Sequence, residues 1–142
     1  MAKLAGFSPI ITTASPRNTP LLEYLGATHV LDRGLAPSEL QATIAVTLNS
    51  APLFFAYDAV AYPETQLIAY NALSPGGNMI VVHPHIDEIP ADVKEQGEQQ
   101  GKILARAQGS IYMQSYNNPC AEAVFARLEG WLADGSIKVC DT

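Results

Sequence analysis

Residues 1–18, MAKLAGFSPIITTASPRN, read as the last turn of a helix, an apolar strand over Pro9–Thr13 and a polar loop. The helical turn comes first, so the strand expected to lead into it has no place after Met1. Working outward, Thr19–Leu25 has a helical pattern that Gly26 ends as a C-cap residue. THVLD at 28–32 is a second strand, and Ser38–Leu48 a helix with Ser38 as N-cap and Leu40, Ile44 and Leu48 recurring every four positions.

The same alternation continues. Pro52–Asp58, dominated by LFFAY, is a strand; Tyr62–Leu73 is a helix stopped by SPGG at 74–77; NMIVVH at 78–83 is a fourth strand. A loop is expected over Pro84–Pro90 and a frayed helix over Lys94–Gln108, interrupted by Gly97 and Gly101. Ser110–Tyr116 supplies the fifth predicted strand. Asn118 caps a last helix, Pro119–Ala133, with proline at its first position and Gly135 past its end. Strands alternating with helices imply an α/β fold, a parallel sheet flanked by helices on both faces.

Composition narrows the function classes. The 142 residues are 48% hydrophobic and 15% charged, the mix of one compact domain rather than of a disordered chain. A net charge of −6 and a pI near 4.8 argue against nonspecific nucleic-acid binding. Apolar runs such as 53–55 and 79–82 are far too short for a membrane span, and the N-terminus lacks a signal peptide's apolar core, so a cytoplasmic location is expected. Two cysteines, Cys120 and Cys140, make no disulfide framework.

Six stretches in order, AKLAGF (2–7), TTASPRN (12–18), LGATHVLDR (25–33), AYDAV (56–60), LSPGGNMIVV (73–82) and LADGSIK (132–138), resemble consecutive landmarks of the medium-chain dehydrogenase/reductase superfamily. The similarity is greatest to its zinc-independent, NADPH-using enoyl- and quinone-reductase branch, which includes fungal trans-acting enoyl reductases. The resemblance implies a single partial domain over 1–142: an incomplete Rossmann-like parallel sheet flanked by helices, lacking the first strand and glycine-rich turn. It also implies that the GroES-like substrate domain of such enzymes is missing.

The surviving loops carry the candidate site. Ser15, Arg17 and Asn18 occupy the loop where the resemblance places the adenosine 2′-phosphate of NADPH. NAD-binding domains have an acidic residue for the ribose there, whereas a guanidinium matches phosphate through paired donors. Arg33, after the next strand, adds a second cation. SPRN is also good turn chemistry, and the bland reading is a solvated turn. Asp58 with its neighbours, and Val82 with His83, close two strands at the sheet edge where ligands bind in such folds, facing the nicotinamide half of the cofactor. Asp58 serves equally well as a cap for the helix that follows.

Other chemistry is weaker. His83, His85, Asp87 and Glu88 cluster without the spacing of a zinc site, so no metal is expected. Tyr57, Tyr62, Tyr70, Tyr112 and Tyr116 read as packing residues, and no nucleophile-elbow context exists, so no catalytic residue is assigned. Cys120, at the second position of the last helix, is the best candidate for a reactive thiol, though such positions are more often inert.

Two functions from different classes follow. In the first, the chain is a non-catalytic, homodimeric interaction or effector protein derived from a cofactor domain, because a missing phosphate cradle leaves NADP(H) weakly held. The alternative is an NADP(H)-binding oxidoreductase fragment that reduces an activated C=C or C=O bond. A missing first strand leaves Pro9–Thr13 and Pro52–Asp58 with open edges, which either pair with each other or are filled by a second chain. A homodimer is expected, through those edges or through Ser110–Tyr116.

Overall fold

The computed structural model describes residues 2–82, 89–107 and 119–138, the side chains of 119–121 excepted. These fall into two compact units, one made of 2–12, 16–30 and 119–138 and the other of 13–15, 31–82 and 89–107. Among the described residues five strands and five helices alternate, the first four strands where the sequence predicts them and the fifth where it does not: β1 (Ile11–Ala14), α1 (Thr19–Tyr24), β2 (His29–Asp32), α2 (Pro37–Leu48), β3 (Phe55–Asp58), α3 (Pro63–Ala72), β4 (Asn78–Val81), α4 (Ala91–Gln99), β5 (Ile103–Arg106) and α5 (Pro119–Ala133). A 3-10 turn, Pro16–Asn18, joins β1 to α1.

The strands form two sheets, β1 with β2 and β3–β4–β5 in that order. In the second, β3 runs parallel to β4 with Phe55 opposite Asn78 and Asp58 opposite Val81, and β4 parallel to β5 with Asn78 opposite Ile103. Three parallel strands require helical crossovers, which α3 and α4 supply. Of the two alternatives for the open strand edges, direct pairing is not found among the described residues: β1 bonds to β2 and β3 to β4, and the two sheets share no strand.

The core of the larger unit follows from the pleat. Met79 and Val81 alternate on one face of β4 and are fully buried, with Tyr70, Leu73, Ala61 and Ile89 packed in the same cluster. Leu53, Ala56, Leu67, Val93 and Leu104 close it from neighbouring elements. Burial of this kind stabilises by about 1.5–3 kcal/mol per large side chain, so β4 is the sheet's anchor. Lys102 crosses the end of α3, its Nζ donating to the Tyr70 carbonyl at 3.1 Å and lying 5.3 Å from the Tyr70 ring centroid. Burial pulls the Lys102 pKa down.

Helix ends explain the two corrections to the predicted boundaries. The frayed helix predicted over Lys94–Gln108 is instead α4 followed by a strand. Gly101, at φ +74°, donates to the Glu98 carbonyl at 2.9 Å and Lys102 donates to Gly97 at 2.9 Å, a pair of bonds that stops the helix and sends the chain into β5. Gly97, read as an interruption, sits buried inside α4 against Tyr70. The N-cap of α2 lies two residues before the predicted Ser38: Ala36 is the N-cap, Pro37 takes the first position, and Glu39 accepts the Ala36 N–H at 3.1 Å.

Other expectations are met. Gly26 ends α1, with its N–H on the Glu23 carbonyl and that of Ala27 on Leu22, both at 2.9 Å. Helix α5 spans the predicted residues, and Gly135 follows it at φ +74°. In the same unit Lys138 returns to α1, its Nζ donating to the Tyr24 carbonyl at 2.7 Å. The predicted strand Ser110–Tyr116 lies outside the described residues, as do Tyr112, Tyr116, Cys140 and the Asn118 cap; the Cys120 side chain is likewise not described.

Candidate functional site

Because β3, β4 and β5 are parallel, their carboxyl ends lie along one edge of the larger unit. The Val82 N–H donates to the Asp58 carbonyl at 3.1 Å and the Ala107 N–H to Val81 at 2.9 Å, so Asp58 and Val82 are neighbours there. The structure thus brings together two of the residues the sequence singled out. His83 lies outside the described residues, with His85, Asp87 and Glu88.

Asp58 is buried, and its carboxylate is occupied. One oxygen, Oδ1, accepts the N–H groups of Val60 and Ala61, each at 2.9 Å, and Oδ2 accepts the Thr65 hydroxyl at 2.8 Å. Three donors on one carboxylate hold the turn 59–62 against the first turn of α3, the structural alternative raised by the sequence. Two further residues complete the device. Ala61 is buried at φ +57°, a conformation that costs a non-glycine residue energy, and the fully buried Gln66 donates Nε2–H to its carbonyl at 3.2 Å. Thr65 and Gln66 escaped the sequence reading. Their signal is faint: a Pro-Glu-Thr-Gln helix start placed a few residues beyond a strand-terminal aspartate.

At this turn large apolar and aromatic side chains are exposed, with Glu64 exposed just beyond it. Tyr57 is 62% exposed, Val60 56% and Tyr62 66%. Tyr57 and Tyr62 are therefore not packing residues as predicted; Tyr70, buried against α4, is. Burial, with the Glu98 charge adding to it, raises the Tyr70 pKa.

The predicted phosphate-binding residues stand at the carboxyl ends of the other sheet. In the larger unit, Ser15 follows β1, half-buried, and Arg33 follows β2, exposed; the Arg33 N–H donates to the Ala14 carbonyl at 3.0 Å. In the smaller unit, Arg17 and Asn18 are exposed in the 3-10 turn, and Asn18 occupies the N-cap position of α1 without a side-chain cap bond. No acidic side chain lies in that turn or in the first turn of α1, and among the described residues neither guanidinium is in an ion pair. The guanidinium and amide donors of Arg17 and Asn18 suit a phosphate monoester, whereas Arg33 in the larger unit follows Asp32, whose Oδ1 accepts the Gly34 N–H at 2.8 Å. Among the described residues no group of histidine, cysteine and acidic side chains is arranged to hold a metal ion. No helix among them is long and apolar enough to cross a membrane.

Comparison with known proteins gives these residues a context. No family model matches the chain. It is 34% identical over 95 residues, 66% of its length, to the trans-enoyl reductase ucsL of an Acremonium species, and spans 23% of that protein. Its fold matches a putative NADPH:quinone reductase from Mesorhizobium loti with a TM-score of 0.72 at 22% identity, covering 99% of this chain and 40% of that one. It also matches the nucleotide-binding subdomain of the enoylreductase domain of PpsC from Mycobacterium tuberculosis, with a TM-score of 0.63 at 18% identity, covering 93% of this chain and 72% of the subdomain.

Proposed function

We propose, for a chain that carries the partial Rossmann-like fold of medium-chain dehydrogenase/reductase nucleotide-binding domains and whose matched relatives include enoyl and quinone reductases, that it is the cofactor-side portion of an NADP(H)-dependent oxidoreductase. The reaction class is hydride transfer to an activated C=C or C=O bond. These relatives favour this reading over that of a non-catalytic effector.

The observation that carries it is the turn after β1. Arg17 and Asn18 stand there, exposed and without an acidic neighbour in the turn, where an NAD-selective domain would carry a carboxylate. Arg17 would hold the 2′-phosphate through paired donors, and Asn18 would add a hydrogen bond. The cofactor, when bound, supplies the hydride; the chain's own part is to hold and orient it.

Titration of the full chain with NADPH and NADH, followed by nicotinamide fluorescence, tests this. NADPH is expected to bind more tightly than NADH, and Arg17→Ala to weaken NADPH about tenfold while leaving NADH nearly unchanged, as loss of a charge-assisted contact requires. Equal affinity for the two cofactors, or an Arg17→Ala variant that binds NADPH as well as the parent, overturns the assignment.

Self-association belongs to the same proposal. Leu21 in α1 and Leu25, its C-cap residue, are 46% and 38% exposed, apolar area that supports a homodimer; the Lys138 Nζ lies 3.5 Å from the centroid of the neighbouring Tyr24 ring.

A further inference from the structure

The turn after β3 is built more rigidly than a connection needs to be. Between Asp58 and Gln66 it combines a buried carboxylate with three donors, a non-glycine residue at positive φ, and a fully buried glutamine on that residue's carbonyl. Strained backbone persists only where its surroundings over-determine it, and such positions concentrate at ligand sites. Here the strain lies at the carboxyl edge of a parallel sheet, the edge where ligands of open α/β folds bind.

The bonding also selects what can bind. Two successive amides, those of Val60 and Ala61, would otherwise make an anion-binding concavity, but the Asp58 carboxylate fills it. A phosphate approaching this turn would meet a buried negative charge and no available donor from those two amides. Outward, the turn presents Val60 and Tyr62, which suit a flat, uncharged ring.

We infer that Asp58, Thr65 and Gln66 are positioning residues: they lock the turn 59–62 as an apolar wall for the ring end of a dinucleotide, and exclude its phosphates from that spot. The inference rests on the cofactor reading above. The locking residues do not touch the ligand; they act through Val60 and Tyr62.

Comparison of NADPH with adenosine 2′,5′-bisphosphate, which lacks the ring end, tests it on the full chain. Asp58→Ala is expected to weaken NADPH about fivefold and to leave the bisphosphate unchanged, as loss of a hydrogen-bonded support would. Asp58→Asn, which keeps Oδ1 as an acceptor for the two amides, is expected to restore most of the NADPH affinity. Ala61→Gly removes the strain without removing a bond, so it keeps the test open where Asp58→Ala does not fold; it is expected to weaken NADPH about threefold by loosening the turn, with no fall in melting temperature. Parallel weakening of both ligands in Asp58→Ala, or unchanged NADPH affinity in Ala61→Gly, overturns the inference. A parent chain that binds the bisphosphate as tightly as NADPH overturns this inference alone, because the ring end then contributes nothing. A parent chain that binds neither overturns the cofactor reading and this inference with it.

Discussion

The ring of Tyr70 fills the space that a side chain on Gly97 would need: a Cβ built at Gly97 lies 2.6 Å from Cε1 and 2.7 Å from Cζ of the tyrosine. Helix α4 can therefore approach α3 only through a glycine. The Tyr70 hydroxyl reaches the Lys94 carbonyl at 3.4 Å, one turn earlier on the same helix.

Gly97→Ala tests that fit. Alanine in a helix interior gains about 1 kcal/mol over glycine, but overpacking a buried contact costs about 1–3 kcal/mol, so the net effect is expected to be a loss. Tyr70→Phe in the same chain is expected to recover part of it, since the hydroxyl is among the atoms in the way. Urea unfolding of the two single variants and the double variant gives the coupling; strictly additive effects would show that the residues do not compete for space.

Thr65→Val removes the hydroxyl that donates to Asp58 Oδ2 at 2.8 Å while keeping the side chain's shape. The Thr65 proton can serve only one acceptor at a time, and the carboxylate competes better than the Tyr62 carbonyl at 3.0 Å. A loss of about 1–2 kcal/mol is expected in thermal or urea unfolding. An unchanged midpoint would mean that the bond to Asp58 holds nothing.

Alkaline unfolding should report on Tyr70. Its pKa is raised in the folded state, so between the ordinary value of 10.0 and the folded value the native chain keeps a proton that the unfolded chain has released. The stability this contributes is complete below pH 10.0 and is lost as pH rises through the folded pKa. Tyr70→Phe is expected to flatten that alkaline fall, with only a small effect at neutral pH because the bond to Lys94 is long. Identical alkaline profiles for the parent and Tyr70→Phe would exclude the coupling.

Static light scattering tests the homodimer. A species of twice the 15.2 kDa chain mass is expected, reduced towards one chain by Leu21→Glu on the exposed side of α1. A parent chain that runs at one chain mass would overturn it.

Much of the fold was legible from short-range chemistry. Gly26 and Gly135 marked helix ends because a left-handed residue there closes bonds to carbonyls only a few positions back. β5 was not legible: by pattern ILAR falls within the helix expected over Lys94–Gln108, and its pairing with β4 makes it a strand. At the site, Arg17 and Asn18 stood out by residue type alone, while Asp58 offered two roles that the residue type could not separate.

The sequence by itself determined the α/β alternation, the capped helix ends and the donor-rich, acid-free turn after β1, because each depends on residues within a turn or two of one another. Only the tertiary structure decided that Asp58 is spent inside its own turn, that Thr65 and Gln66 lock it, and that Gly97 is a notch for Tyr70 rather than a break. Those outcomes depend on which groups are buried together, and burial sets the cost of an unpaired carboxylate or an extra methyl group.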